Sequence, residues 1–467
     1  MKKQLILWCV AVAGHTYLFY EQVQGYNTTI FALLILTLGA ISRKEHRLSP
    51  IWWLAAGIHL MVALSISWHG GGMTQLLYAS SLFVLMGMTY SPKSSLYIAW
   101  MNGLFAAICV SLAAYFTHFK DFFKSFFIPI FKPVVDKRPS LFLMPFSITL
   151  GFYFLYSWAN PDFWIDFSFL PESINFLFIG FVVFGFVWIC PFFFPWGNQE
   201  LVDSDTKASN SLKRVRYSKK NTPILALKYE NQQGVVLFVL LNLLISIFLG
   251  FNLLQLFIPT LQAQSKGYSV QVHEGFNALL VSILSAIGLI MYYFRANQNF
   301  YQPNQRLLQL AIIWILLNAL LVFFTFYKNA LYVVSFGLTF KRIWVYISLG
   351  LTVGGLLLTF IKLTLRKSNR YLLRQNIWMI YIVMACYGLI DWSRLITWYN
   401  LNYAHQLDIA YIQKLGSSKL PYLQTLIQLN DKRIAPFKDT IAHQISYWKK
   451  LIDSKKIGNR AIGMKNG

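Results

Sequence analysis

The chain has 467 residues, of which 56% are hydrophobic, 17% aromatic and only 12% charged. Soluble domains carry about 25% charged residues, so this balance excludes an ordinary soluble globular protein and points to a polytopic membrane protein. The net charge of +24 does not indicate nucleic-acid binding, because the cations sit in short loops between apolar runs, where they act as orientation signals.

Apolar runs occupy residues 4 to 20, 28 to 41, 51 to 67, 74 to 90, 95 to 117, 141 to 158, 174 to 194, 234 to 258, 277 to 294, 307 to 326, 343 to 363 and 375 to 391. A crossing helix takes roughly 20 such residues, and lipid leaves no backbone group unpaired. The expected fold is therefore all-α, a transmembrane bundle of about 11 to 12 segments, ending in a small helical module. The first run begins KKQLILWCVAVAG, like a signal peptide, but stays apolar to Tyr20, so an uncleaved span is expected. Cys9, Cys109, Cys190 and Cys386 fall within the runs without CxxC spacing, so no disulfide framework, metal site or cofactor is implied.

Four parts follow: transmembrane segments at 1–117, a basic interfacial segment at 118–140, a transmembrane core at 141–391 with a loop at 197–233, and a soluble tail at 392–467. In HFKDFFKSFFIPIFKPVVDKRPS (118–140), Phe122, Phe123, Phe126 and Phe127 interleave with Lys120 and Lys124 at helical spacing, as in a helix lying against anionic lipid. That segment and the loop containing LKRVRYSKK belong in the cytoplasm by the cation bias, whereas NPDFWIDFSFLPE, with Asn160, Asp162, Asp166 and Glu172, belongs outside. Counting on, KLTLRKSNRYLLR is inside and the tail from Trp392 is outside. With Lys2 and Lys3 inside, five spans would put 118–140 outside, against its own charge. One early segment is then not a true crossing, and the pair before RKEHR and the HGGG hairpin are the candidates.

No catalytic constellation is present. His69-Gly70-Gly71-Gly72 copies the oxyanion loop of lipases, but no GxSxG elbow accompanies it, so a tight turn is expected. His273-Glu274 begins like HExxH and continues Gly-Phe-Asn without a second ligand, which fits a polar helix start. There is no phosphate-binding lysine loop or GxGxxG. Polar residues inside spans, chiefly His15, His59, Asn102, Asn242, Asn252 and Asn318, include no carboxylate and are expected to join helices by hydrogen bonds. If His59, Asn102 and Asn318 lined one aqueous path, a transporter would be favoured instead.

The tail opens LIDWSRLITWYN. Trp392, Trp398 and Tyr399 suit a membrane interface, Asp391 and Arg394 are placed to pair across one face, and Asn400 is placed to turn the chain. Asp408 caps an expected helix at 409–415 that Gly416 stops, Pro421 opens another, and from Pro436 the residues Phe437, Ile441, Ile445, Trp448 and Ile452 form an amphipathic face. The expectation is a stiff collar holding the tail against the outer loops, where Asp162, His273 and Arg342 would share a surface.

YLFYEQVQGYN, the Pro145 segment leading into YSWANPDF, YSVQVHEGFNALL, LYVVSFGLTFKRIWVY and LITWYNLNYAHQLDIAYIQKLGSSKLPYL together resemble a bacterial family of polytopic membrane proteins known only as a domain of unknown function, family 4173, related to family 4153. Trp398 stands where that family usually carries Arg. The resemblance spans nearly the whole chain and implies a multi-pass protein of the bacterial cytoplasmic membrane, with no activity attached. Three classes of function remain open: a non-enzymatic envelope sensor or scaffold binding a membrane or periplasmic protein, a transporter or channel, and an enzyme on a lipid-linked substrate. They are ranked in that order. Candidate interaction residues are Asn160, Asp162, His273, Glu274, Arg342, Asp391, Arg394, Tyr399 and Asn400.

Overall fold

A computed structural model describes residues 2–22, 24–43, 49–68, 72–107, 176–214, 224–257, 268–404 and 408–415, together with 422–424, 427, 441–443, 445 and 446. The segments 118–140 and 141–158, the loop holding Asn160 and Asp162, and the side chains of His273 and Glu274 lie outside the described positions. Among the described residues every element is a helix apart from one isolated antiparallel bridge between Ser211 and Lys367. The chain divides into two compact units, Met1–Lys207 and Ala208–Gly467.

In the first unit, α1 (Lys2–Phe19), α2 (Tyr26–Ser42), α3 (Pro50–Trp68), α4 (Gly72–Tyr90) and α5 (Leu96–Phe105) pack each against the next. α6 (Phe176–Phe193) lies against α1, and the short α7 (Gln199–Thr206) follows it. In the second unit come α8 (Ile224–Phe257), α9 (Tyr268–Tyr293), two 3-10 turns at Ala296–Phe300 and Gln302–Asn304, α10 (Gln305–Phe336), α11 (Phe340–Thr364) and α12 (Asn369–Leu389). The tail contributes α13 (Trp392–Tyr403) and α14 (Ile409–Lys414). Among the described residues, five helical runs are long and apolar enough to cross a bilayer: α3, residues 227–254 of α8, Gln302–Phe336, α11 and α12. The protein is an all-α, multi-pass integral membrane protein.

The direction of each helix can be read from its contacts. Trp52 Nε1 donates to Thr89 Oγ1 at 3.1 Å, and His59 meets Ser81 further along, so α3 and α4 are antiparallel. Thr29 Oγ1 donates to Ala63 O at 3.1 Å, setting α2 against α3 in the same sense. Lys2, Lys3, Arg43 and Lys93 therefore gather at one end, while the other carries, among the described residues, Glu21 and no Lys or Arg. That is the pattern of a cytoplasmic and an outer end. α6 runs antiparallel to α1, with Trp8 Nε1 donating to Phe186 O at 3.2 Å, His15 stacked on Phe181 at 4.9 Å and Tyr20 against Phe178 at 5.0 Å.

Both suspected hairpins are antiparallel helix pairs, and of their four helices α3 is the one long and apolar enough to cross a bilayer. α5 departs from the basic end, with Gly103 opposite Phe83 of α4, and α6 returns towards that end, where Phe192 meets Gly39 and Arg43. Residues 108–175, which separate α5 from α6, lie outside the described positions.

The second unit has an apolar core of Phe238, Ile283, Ile290, Leu307, Trp314, Val345 and Leu349, among others. Val236, Leu240, Leu243, Leu244 and Ile247 on α8 face outward, as lipid-facing side chains do. One end gathers Arg295, Lys362, Arg366, Lys367, Arg370 and Arg374; the opposite end carries the α10–α11 turn and the tail. In a background with the four cysteines changed to serine, Gln22→Cys and Asn402→Cys are expected to react with an impermeant maleimide added to intact cells. Lys93→Cys and Ser211→Cys should react only after permeabilisation. Labelling of the Ser211→Cys protein with protection of Asn402→Cys would invert the orientation.

Candidate functional site

The tail end of the second unit is built around the three-residue turn between α10 and α11. Gly337 closes α10 at φ 80 and ψ −177, a conformation open to glycine and scarcely to other residues. Thr339 then caps α11 by accepting the Arg342 N–H at 3.3 Å. The Arg342 side chain folds back under the turn. Its Nη1 donates to Phe336 O at 2.9 Å and to Gly337 O, and its guanidinium lies 3.9 Å from the centre of the Tyr332 ring. The carbonyls at a helix C-terminus are unpaired and carry partial negative charge, so they hold a buried cation without any carboxylate. Arg342 is only 7% exposed, and this solvation by carbonyls and a ring explains how it remains so.

α12 ends at Leu389, and the chain re-enters helix at Trp392 because Asp391 caps α13, accepting the Arg394 N–H at 3.0 Å. Asp391 and Arg394 thus do not form the expected ion pair. The carboxylate is spent on the backbone, since a spacing of three residues is also the geometry of an N-cap. The Arg394 side chain instead reaches Tyr422 Oη at 3.4 Å. Trp392 stacks on Tyr387 at 5.0 Å and donates its indole N–H to Tyr387 O at 2.9 Å, which fixes the angle at which the tail leaves the bundle.

Asn400 does not turn the chain. It sits within α13, almost fully buried, and its carboxamide pairs with the backbone of Leu338: Nδ2 donates to Leu338 O at 2.9 Å and Oδ1 accepts the Leu338 N–H. One side chain satisfies both polar groups of a residue that belongs to no helix. Tyr411 in α14 makes a second tie, its hydroxyl accepting the Phe340 N–H at 2.9 Å. Burial raises the Tyr411 pKa, opposed by the Phe340 N–H and the Arg342 charge, so the phenol stays protonated at neutral pH. Around these ties Val333, Leu338, Ile343, Ile396 and Leu415 form one apolar cluster, with Tyr399 at its edge. Leu401, Ile409, Ile412, Leu423, Ile441 and Ile445 form the tail's own core beyond it. Asp408 caps α14 as its sequence position predicts, accepting the Tyr411 N–H at 2.9 Å.

The other candidates are placed differently. His273 and Glu274 lie in the second turn of α9, not at its start. His59 is fully buried with Nδ1 2.7 Å from Ser81 Oγ. The Ser81 hydroxyl also lies 2.8 Å from Tyr78 O. Asn102 Oδ1 accepts the Asn198 N–H at 2.9 Å and so fixes the start of α7. Asn318 bonds its own helix at Trp314 O, 2.8 Å away, and Asn242 joins α8 to α10 through Leu310 O at 3.0 Å. His59, Asn102 and Asn318 thus each make a hydrogen bond within their own unit. The sequence reading missed Asn329, Lys328 and Lys362. Asn329 donates to Arg342 O at 3.3 Å, Lys328 to Asn252 Oδ1 at 3.0 Å, and Lys362 to Phe294 O at 2.9 Å. A lysine inside the apolar run 343 to 363 was the available signal for Lys362.

Among the described residues no group of three metal-ligating side chains occurs. The collar brings together a cation, amides and phenols: Arg342, Asn400 and Asn329, Tyr332 and Tyr411. A family model described as Domain of unknown function (DUF4153) matches residues 7–426. No curated protein and no solved structure matches the chain.

Proposed function

The chain belongs to the family described as Domain of unknown function (DUF4153), and from that membership and the docked tail we propose a non-enzymatic envelope scaffold or sensor of the bacterial inner membrane. Its outer helical tail binds a membrane or periplasmic protein, and the collar conveys that binding to the bundle. The observation that carries this reading is the paired hydrogen bonding of Asn400 to Leu338, 62 residues away, which joins tail and bundle through a rigid element. A flexible tether would need no such bond. Trp398 and Tyr403 remain 41% and 57% exposed on the open face of α13, in edge contact at 5.5 Å, and supply the aromatic anchor that protein interfaces favour.

A photo-crosslinking amino acid at position 398 or 403 is expected to trap a discrete protein in living cells. The same probe at position 93, at the basic end of the first unit, should not trap it. Equal capture at 93 and 398, or capture of lipid alone at 398 and 403, would remove the partner-binding reading.

A further inference from the structure

The basic end of the second unit holds a feature independent of the collar. α9 closes at Tyr293, and the chain leaves it through Ala296, at φ 43, into the first 3-10 turn. Carbonyls at a helix C-terminus have no partner within the helix, and here side chains from other elements supply donors to them and to the turn that follows. Asn369 Nδ2, at the start of α12, donates to Met291 O at 3.0 Å, and Lys362 Nζ, near the end of α11, donates to Phe294 O at 2.9 Å. Asn304 Nδ2, in the second 3-10 turn, donates to Gln298 O at 2.8 Å, and Asn231 Nδ2 of α8 donates to Asn304 Oδ1 at 3.3 Å. Amides and one lysine thus tie α8, α9, α11 and α12 together at one place.

That arrangement leaves buried polar atoms over. Gln298 is 1% exposed, and among the described residues neither Oε1 nor Nε2 of its carboxamide has a hydrogen-bond partner. Asn369 Oδ1 is buried and has none either. Lys362, also 1% exposed, spends one donor of its ammonium on Phe294 O and keeps the rest. The Asn369 amide cannot be turned round to help, because its oxygen would then face Met291 O. Roughly nine in ten buried polar groups of folded proteins are hydrogen-bonded, and a buried charge is costlier still to leave without partners. These atoms therefore call for a bound molecule.

Donors and acceptors are both left over, and this selects the chemistry. An ionised carboxylate or phosphate accepts from Lys362 and Gln298 Nε2 but offers no proton to Gln298 Oε1 or Asn369 Oδ1. A metal ion satisfies those oxygens and is repelled by the ammonium. A neutral hydroxyl meets both demands, and the near-complete enclosure of Gln298 and Lys362 admits only the smallest molecule that carries one. We propose that the C-terminal end of α9 binds ordered water, held by Gln298, Asn369 and Lys362. The water solvates the lysine and completes the junction of α9 with α11 and α12.

The test is X-ray radiolytic footprinting of the purified full-length protein in neutral detergent, mixed into heavy-oxygen water before exposure. Radiolysis splits bound water into hydroxyl radicals that oxidise the side chains beside it. Lys362 should take up heavy oxygen although it is buried, whereas the equally buried and more reactive Phe238, in the apolar core, should not. The Q298M variant keeps the side-chain length and removes both polar atoms. Labelling of Lys362 should fall severalfold in it, and its melting temperature should drop by about 2–4 °C through loss of the water's hydrogen bonds. An unlabelled Lys362 would overturn the proposal. So would a Q298M protein that melts level with or above the parent, the result expected of a carboxamide buried without any partner. Oxidation of Lys362 by light oxygen alone would place a non-exchanging hydroxylic molecule there, and the water assignment would fall.

Discussion

Gly103→Val is expected to separate α4 from α5 and to lower the melting temperature of the detergent-solubilised protein by about 6–12 °C, the equivalent of roughly 3 kcal/mol. Gly87 and Gly103 are the points at which the two helix backbones touch. A Cβ on Gly103 would overlap the Phe83 carbonyl oxygen, and one on Gly87 would overlap that of Ala99. Neither obstacle is the end of a flexible side chain, so relief requires moving a whole helix. In a bilayer, where apolar side chains gain little by leaving lipid, such close backbone approach is the main source of helix association. Gly57→Ala in α3 is the control: nothing lies within 4 Å of its Cβ position, and it should be neutral or stabilising by up to about 1 kcal/mol. If the two variants melted alike, the α4–α5 contact would not be the constraint the geometry implies.

The apolar runs revealed the bundle because the length of a crossing helix is set by the bilayer, and the described runs are all helices. Their ends were less legible. α8 begins ten residues before its apolar run and α10 continues to Phe336, ten beyond its own, since a helix does not stop where hydropathy does. Asp408 was readable because a cap acts over three residues. Asn400 was singled out but its task was not, because its partner lies 62 residues away and hydrogen bonding to an isolated backbone residue leaves no periodic trace. Asp391 and Arg394 misled for the opposite reason, one spacing serving two interactions. Ala99-x-x-x-Gly103 did carry a signal, two small residues one turn apart, which the runs of large apolar residues obscured.

The collar should fail at either of two residues, and the manner of failure is diagnostic. Asn400→Ala leaves the Leu338 N–H and C=O without partners in a buried turn, at a cost of about 2–4 kcal/mol. That exceeds what the small tail core is expected to withstand, so α13 and α14 should become sensitive to protease added from the outer side while the bundle stays folded. Gly337→Ala should do comparable damage by another route. Its φ of 80 and ψ of −177 strain any side chain by roughly 1–3 kcal/mol, and the new Cβ would stand 2.6 Å from Asn400 Oδ1. Part of the Gly337 penalty therefore exists only while Asn400 is present. In the double variant the clash disappears, and the combined loss should fall short of the sum by about 1 kcal/mol or more. Strictly additive losses would mean that backbone strain alone governs Gly337 and that the two residues do not press on each other. A tail that stayed protease-resistant in the Asn400→Ala protein would show the apolar cluster, rather than the amide bridge, to be what holds it. The rigid link assumed for conveying partner binding would then have to run through Ile396 and Leu415 instead.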